Sequence, residues 1–344
     1  MFDLPPFLWD KLSDRSVLLY GVGDGADKIL ALCKQYSVKV AGIFVSDSFF
    51  AEKSFQGFTV MRRSEALGKF PDTAILLCFG IFREDDIADI TALAEERELY
   101  APDVPLFGSG ICTYGTLKER KEDIKRVYDP FDKTSKSVFE NILRYKISGD
   151  IKYLSLCESE RKKDLKQLFC LPEKAVYADL GAYRGDTIEE YISVFGHPFK
   201  VYAFEPAAVN YRKLKEKFGN CEGYHLINAA TSNINGEISF SDKSGRGAHI
   251  GGNRTVTALT LDSCVNEKID YLKIDVEGAE SDTLKGAERI LREDKPFISL
   301  SVYHRTWDFI DLAISVLDLG VGYKIHLRHH PYIPAWDTML YCTP

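Results

Sequence analysis

The chain has 344 residues, of which 45% are hydrophobic and 28% charged, and its formal net charge is −7. That length suits two domains and the composition suits a globular protein, while the acidic balance argues against binding a nucleic-acid phosphate backbone, which needs a basic face. The longest apolar run, residues 74–82, falls well short of the ~20 residues that span a bilayer, and the opening Met1-Phe2-Asp3-Leu4-Pro5-Pro6 has no signal-peptide core, so a cytoplasmic protein off the membrane is expected.

The first segment alternates strand and helix. Val17-Leu18-Leu19-Tyr20 reads as a short buried strand, Gly21-Val22-Gly23-Asp24-Gly25-Ala26 as a glycine turn, and residues 27–36 as a helix. A second strand over residues 38–45 leads to Asp47, about 20 residues beyond the glycines. This order is the context of a dinucleotide fingerprint, in which glycines allow a pyrophosphate close to a helix N-terminus. The other reading is a Rossmann-like scaffold with an empty loop. Phe58-Thr59-Val60-Met61 and residues 74–79 are further strands, residues 85–99 a helix, and Val104-Pro105-Leu106-Phe107 a closing strand. Residues 1–115 thus form a Rossmann-like module of about five strands, with no convincing catalytic partner for its glycines.

Residues 116–170 lack strand character. Val138, Ile142 and Tyr145 recur at helical spacing in residues 133–145, Gly149-Asp150 ends that helix, and residues 158–169 form a second, charged one. Phe139, Leu143, Tyr153 and Leu154 need burial, so this is a helical connector packed on the C-terminal domain rather than a solvated linker.

Residues 171–344 resume the alternation. Strands are expected at 175–179, 201–204, 223–229, 238–240, 271–275, 297–302, 324–327 and 339–342, with helices at 187–195, 207–217, 280–291 and 309–319. The last two strands are joined by a proline-containing turn without a helix, which makes one of them antiparallel. The first of these strands ends on Asp179, followed by the turn and helix start Leu180-Gly181-Ala182-Tyr183-Arg184-Gly185-Asp186-Thr187. The next ends on Glu205, about one βαβ unit later. Carboxylates at neighbouring strand ends beside a glycine turn suit a ligand with an adenosyl group, a ribose diol and a cationic amino-acid tail. S-adenosylmethionine (SAM) fits that description. The eight cysteines form no CxxC pair and no zinc spacing, and read as buried thiols in a reducing compartment.

Five segments extend this reading: Asp179 to Thr187, Phe204-Glu205-Pro206, Asn228-Ala229-Ala230-Thr231-Ser232, Thr260-Leu261-Asp262, and Lys273-Ile274-Asp275-Val276-Glu277-Gly278-Ala279-Glu280. In this order they resemble the FkbM family of SAM-dependent methyltransferases. Residues 139–150 are similar to that family's N-terminal extension, so the resemblance covers roughly residues 130–344. It implies a class I methyltransferase fold, a doubly wound α/β sheet of seven strands with the last antiparallel. It also implies SAM as cofactor and, most often, O-methylation of a sugar, glycan or polyketide-type hydroxyl. The module at 1–115 is more loosely similar to Rossmann-like units ahead of some sugar-modifying enzymes.

Open α/β sheets bind ligands at the carboxyl ends of their strands. On the resemblance, Asp179 would accept from the cofactor's ammonium, directly or through water. Gly181, Ala182 and Gly185 would let the backbone approach the ligand, and Asp186 and Thr187 would open the helix beside it, unless Asp186 only caps that helix. Glu205 would chelate the ribose hydroxyls, since a carboxylate accepts two hydrogen bonds at once. Asn228 and Ala229 would meet the adenine edge, with Asn228 as a plain turn residue the alternative. Asp275 would face the methyl-donor tail or the substrate, and Glu277 would hold a substrate hydroxyl or cap the next helix. His304 is either the base that takes the hydroxyl proton or a structural histidine. His329 and His330 end the sixth strand on the same rim, one for substrate and the other for packing. Asp275, Glu277, His304 and His329 also offer donors for a divalent metal; we read them as a metal-free hydrogen-bonded network. Arg246, His249 and Arg254 lie in a glycine-rich loop that either meets an anionic sugar or phosphate or is ordinary surface.

The expected function is SAM-dependent O-methylation of a small-molecule or glycan hydroxyl, with the first module docking substrate or forming a homo-oligomer. Two other readings remain. One is an NAD-linked enzyme built on Gly21, Gly23, Ala26 and Asp47, and the other a binding protein that senses a nucleotide or nucleotide-sugar without turnover.

Overall fold

The computed structural model describes residues 2–241, 249–250 and 254–344, so the expectation for Arg246 falls outside the described residues. A first sheet is built from β1 (Ser16–Tyr20), β2 (Lys39–Val45), β3 (Ser54–Phe55), β4 (Phe58–Arg62), β5 (Ala74–Leu77) and β6 (Leu99–Tyr100), in the order β3-β4-β2-β1-β5-β6. All its pairs are parallel except the β3–β4 hairpin. Val17 to Tyr20 and all of β5 are buried, as central parallel strands covered on both faces must be.

Two expectations change here. Leu99, read as the end of a helix, lies in β6, because the helix Glu84–Glu96 stops at Arg97 and the apolar pair beyond it joins β5. Residues 104–107 form no strand. Lys28 Nζ donates to the carbonyls of Pro105 and Leu106, and Phe107 N–H donates to the carbonyl of His304, so this segment is spent crossing to the second sheet.

The connector is a run of helices whose longest member, Lys133–Ser148, is capped at both ends. Asp132 accepts the N–H of Ser135 at 2.7 Å, and Gly149 closes the helix in the left-handed region. This helix touches both sheets. Tyr145 Oη donates to the carbonyl of Ala101, Lys146 pairs with Asp103 out of solvent, and Ser135 Oγ accepts the N–H of Leu327.

The remaining strands, in chain order, are β7 (Val176–Leu180), β8 (Lys200–Phe204), β9 (Tyr224–Ile227), β10 (Ala230–Thr231), β11 (Gly236–Ser241), β12 (His249–Ile250), β13 (Arg254–Leu259), β14 (Tyr271–Ile274), β15 (Phe297–Ser301), β16 (Lys324–His329) and β17 (Thr338–Thr343). Seven of them form the sheet β16-β17-β15-β14-β7-β8-β9, in which β17 runs antiparallel to both its neighbours. From β7 the chain runs outward to β8 and β9 and then returns to β14 on the other side of β7, a switch point that opens a crevice at the carboxyl ends of these strands. The strand expected at 238–240 belongs to a separate sheet, β10-β13-β11-β12. The helix expected over 280–291 is two helices, Glu280–Lys285 and Glu288–Glu293. They break at Gly286, where a Cβ would collide with the carbonyl of Ser232.

One buried cluster runs from Leu18 and Ile75 of the first sheet through Phe139 and Ile142 to Leu272 and Leu300 of the second. On the other face Tyr177, Tyr191 and Tyr271 stack together beside Phe169 and Tyr341. Cys33, Cys78, Cys112, Cys157 and Cys342 are buried free thiols, whereas Cys170 and Cys221 are exposed and Cys264 is half-buried. Among the described residues no helix is long and apolar enough to cross a membrane.

Candidate functional site

A cavity of about 500 Å³ opens at the carboxyl ends of β7, β8, β14 and β15. At one end is the turn after β7. Gly181 has φ +82° and a Cβ there would strike the carbonyl of Asp275, so only glycine fits. Tyr183 is also left-handed, at φ 48°, which turns its N–H onto Glu205. Glu205 Oε2 accepts that N–H at 2.9 Å, and Oε1 accepts the N–H of Ala207 at 2.8 Å. The carboxylate is thus fixed by backbone, lines the cavity, and keeps a lone pair on each oxygen. Burial raises its pKa to about 7 against the pull of those N–H donors.

The other residues expected around the cofactor divide into two groups. Asp186, Thr187, Ala229, Gly181 and Asp275 line the cavity with Glu205. Asp179 does not. It is fully buried, its Oδ2 accepts the Thr187 hydroxyl, and Lys273 Nζ lies 3.2 Å from its Oδ1. Lys273 Nζ also donates to the carbonyl of Gly181 at 2.7 Å. Asp179 thus sits in an internal ion pair behind the residues that line the cavity. Ala182 is buried in the second core cluster, and Gly185 is packed against Phe218. Asn228 is the turn residue of the two readings, donating through Nδ2 to the carbonyls of Glu205 and Pro206.

Further along the rim, His304 is enclosed by acids. Its Nε2 lies 3.5 Å from both Asp275 Oδ1 and Glu277 Oε2, and its Nδ1 2.9 Å from Glu280 Oε1. Glu280 also takes the N–H groups of Val276 and Gly278. Burial disfavours a charge on His304, but Glu280, Glu277 and Asp275 outweigh it and raise its pKa well above the usual value. Burial opposes the charge of Asp275, yet Lys273 and His304 hold its carboxyl below its ordinary value. Burial raises Glu277, with His304 opposing. Glu277 sits at a left-handed φ of 54°, a strained geometry that supports a functional position.

The set Asp275, Glu280 and His304 has ligand atoms within 4.8 Å of one another and could hold a metal ion. His329 does not join this set. Its Nδ1 faces Thr338 Oγ1, and burial lowers its pKa to about 4. His330 bonds Tyr341 Oη at 2.7 Å and the carbonyl of Ser159, and burial lowers its pKa to about 3. Neither lines the cavity, so both pack, against the expectation that one meets substrate.

The first sheet's loops reach the same cavity through Phe82 and Leu106, opposite Tyr332 and Trp336 of the β16–β17 hairpin. Phe82 stacks on Tyr332 with centroids 5.8 Å apart, and Ile81 and Ile333 exchange both backbone hydrogen bonds. The Gly21–Ala26 turn looks elsewhere. Gly25 presses on the carbonyl of Cys78, and Asp24 opens the helix Asp24–Gln35, where its charge opposes a phosphate. Asp47 lies in a short 3-10 turn and accepts the N–H of Ser64.

Lys273 and Arg161 are among the cavity residues to which sequence reasoning assigned no role. Lys273 is visible as a cation inside the apolar run Tyr271-Leu272-Lys273-Ile274, which signals a buried partner. Arg161 carries no such signal, being one charge among many in its helix.

Residues 179–338 match the family profile described as the methyltransferase FkbM domain. Among solved structures, the chain is similar to a methyltransferase FkbM from Methylobacillus flagellatus. The TM-score is 0.72 at 16% identity, over 99% of this chain and 94% of that one, so the likeness of fold takes in both sheets. It is also similar to Aeropyrum pernix fibrillarin in complex with natively bound SAM, with TM-score 0.33, 19% identity and coverage of 53% and 73%. An rRNA methylase from Streptococcus thermophilus gives TM-score 0.34, 17% identity and coverage of 53% and 91%. No curated protein matches the sequence.

Proposed function

Residues 179–338 match the methyltransferase FkbM domain, and from that premise we propose that the chain is a SAM-dependent O-methyltransferase acting on a hydroxyl of a saccharide or related metabolite. The observation that carries the reading is Glu205, which lines the cavity and whose two oxygens are each fixed by one backbone N–H group. That is a diol receptor at the strand end where a ribose belongs. The acids on the walls, Asp186, Glu190, Asp275, Glu277 and Asp337, favour a cationic ligand over a neutral one. Bound SAM supplies an already electrophilic methyl group on a sulfonium, so the protein has to position the acceptor and remove its proton.

Those two tasks fall to the rim beyond Gly181. In this scheme His304, whose pKa its carboxylate neighbours push upward, holds Asp275 and Glu277 in place, and a carboxylate takes the proton. Asp275 is a weak base because its carboxyl is held low, whereas the raised Glu277 is the better proton acceptor for the hydroxyl. Tyr303, whose Oη lies 3.5 Å from Asp275 Oδ1, borders the same space. Phe82, Tyr332 and Trp336 give the acceptor flat apolar walls beside this polar cluster, which suits a ring with a C–H face and a hydroxyl edge. The module at 1–115 then docks substrate, with residues 116–170 as its brace and 171–344 as the catalytic unit. The reaction needs no metal in this scheme: EDTA is expected to leave turnover unchanged, and rescue of a chelated enzyme by magnesium or manganese would replace the Glu277 scheme.

The test is calorimetric titration of S-adenosylhomocysteine into wild type and Glu205→Ala. Micromolar binding that the substitution weakens at least tenfold, about 1.4 kcal/mol, is expected. Absence of binding to wild type would overturn the cofactor reading in favour of a non-catalytic nucleotide-binding protein. Release of S-adenosylhomocysteine on incubating SAM with a panel of hydroxylated sugars then identifies the acceptor.

A further inference from the structure

Besides Glu205 the cavity is lined by Arg161, Asp186, Thr187, Glu190, Lys273 and Asp337, and Lys273 lies on β14, across β7 from the strand that leads to Glu205. Among the described residues three basic side chains line the cavity. His304 is enclosed by carboxylates, and Lys273 is committed to Asp179 and the carbonyl of Gly181. Arg161 is placed differently. It is the first residue of the helix Arg161–Leu168, outside the matched domain, and its side chain reaches in from the connector. Asp337 of the β16–β17 hairpin takes one guanidinium N–H, and Glu190 Oε1 lies 3.8 Å from Nε, too far for a hydrogen bond. A guanidinium has five donors, so this fork has N–H groups left for a ligand.

A ligand whose ribose rests on Glu205 and which crosses the glycine turn would bring its far end towards these residues. For SAM that end is an α-amino acid, an ammonium and a carboxylate on one carbon. Asp186 and Glu190 suit the ammonium, and a carboxylate among so many acids requires a cation. We propose that Arg161 is the receptor of the cofactor's α-carboxylate, so that the connector completes a site whose remaining parts lie in the matched domain. Planar guanidinium and planar carboxylate pair through two parallel hydrogen bonds, a geometry that lysine lacks. The inference rests on the SAM reading of the cavity.

The experiment separates the two ideas by using two ligands, S-adenosylhomocysteine and 5′-methylthioadenosine, which keeps the adenosine and thioether but has no amino-acid tail. Each is titrated by calorimetry into wild type, Arg161→Met and Arg161→Lys. We expect Arg161→Met to weaken S-adenosylhomocysteine at least tenfold, and Arg161→Lys to weaken it several-fold, while methylthioadenosine binding stays within about twofold in both. A proportional loss for both ligands would mean that Arg161 only supports the fold, and no loss for either would mean that the carboxylate is held elsewhere; each overturns the proposal. Wild type binding methylthioadenosine as tightly as S-adenosylhomocysteine removes the inference and leaves the SAM reading standing, whereas wild type binding neither removes both. The pair Arg161→Met with Asp337→Asn balances the lost charge, and it gives the same comparison if Arg161→Met alone does not fold.

Discussion

A carboxyl with a pKa of about 7 makes cofactor binding pH-dependent in the physiological range. Glu205 accepts two hydroxyls only when ionised. Affinity for S-adenosylhomocysteine is therefore expected to fall about tenfold per pH unit below 7 and to level off above it. Titrations from pH 5.5 to 8.5 check this, and a flat wild-type profile would remove Glu205 from the diol. Glu277→Gln is expected to cut turnover by a factor of about 10² to 10⁴ with little change in S-adenosylhomocysteine affinity. His304→Asn acts differently. It leaves Glu280, Asp275 and Glu277 without their shared partner, at a cost of about 3–5 kcal/mol in a denaturant titration, well beyond that of Glu277→Gln. Glu205, Asp275, Glu277 and His304 were legible in the sequence because each lies within three residues of a strand's end, where topology alone puts a side chain on the rim. Asp179 was half legible. Its place was right, but its partner Lys273 is its register neighbour on β14, a pairing set by strand order rather than by chain order. His329 and His330 end their strand on the same side, yet the hairpin folds them inward onto Thr338 and Tyr341.

At the scale of elements, the clasp between residues 80–83 and the β16–β17 hairpin is the feature that sequence could not supply. A Cβ on Gly80 would stand 2.8 Å from both Trp336 and Tyr332, so the two loops close only over a glycine. Gly80→Val is expected to raise the acceptor KM several-fold while S-adenosylhomocysteine affinity holds. Equal damage to both would show that the clasp supports the cofactor end as well. Long periodic elements were readable, and short or sheet-dependent ones were not. A two-residue strand such as β6 has no period to detect, and alternation over residues 238–240 identifies a strand without saying which sheet receives it. The single glycine that splits residues 280–291 does so through a contact with Ser232, distant in the chain.

Across the whole molecule, the shared cluster from Leu18 to Leu300 couples both sheets through the connector. Thermal unfolding is therefore expected to be one transition with equal calorimetric and van't Hoff enthalpies, and two separated transitions would show that the sheets fold independently. S-adenosylhomocysteine at 100 times its Kd should stabilise that single unit by about 2.7 kcal/mol, shifting the whole transition rather than splitting it. The β/α alternation on either side of a helical stretch was plain in the sequence. How the parts meet was not, because Phe82, Tyr332 and Trp336 are individually indistinguishable from scattered surface aromatics.

The walls of the cavity have two origins along the chain. Glu205, Asp275 and Glu277 lie inside the FkbM match, whereas Phe82 and Leu106 come from far upstream of it. Natural variation can therefore act on the two sets separately. Drift in the first hundred or so residues would retune which acceptors are admitted without disturbing the diol receptor. A chimera that exchanged those residues between two such proteins should inherit its acceptor range from the donor of the N-terminal part and its cofactor affinity from the other.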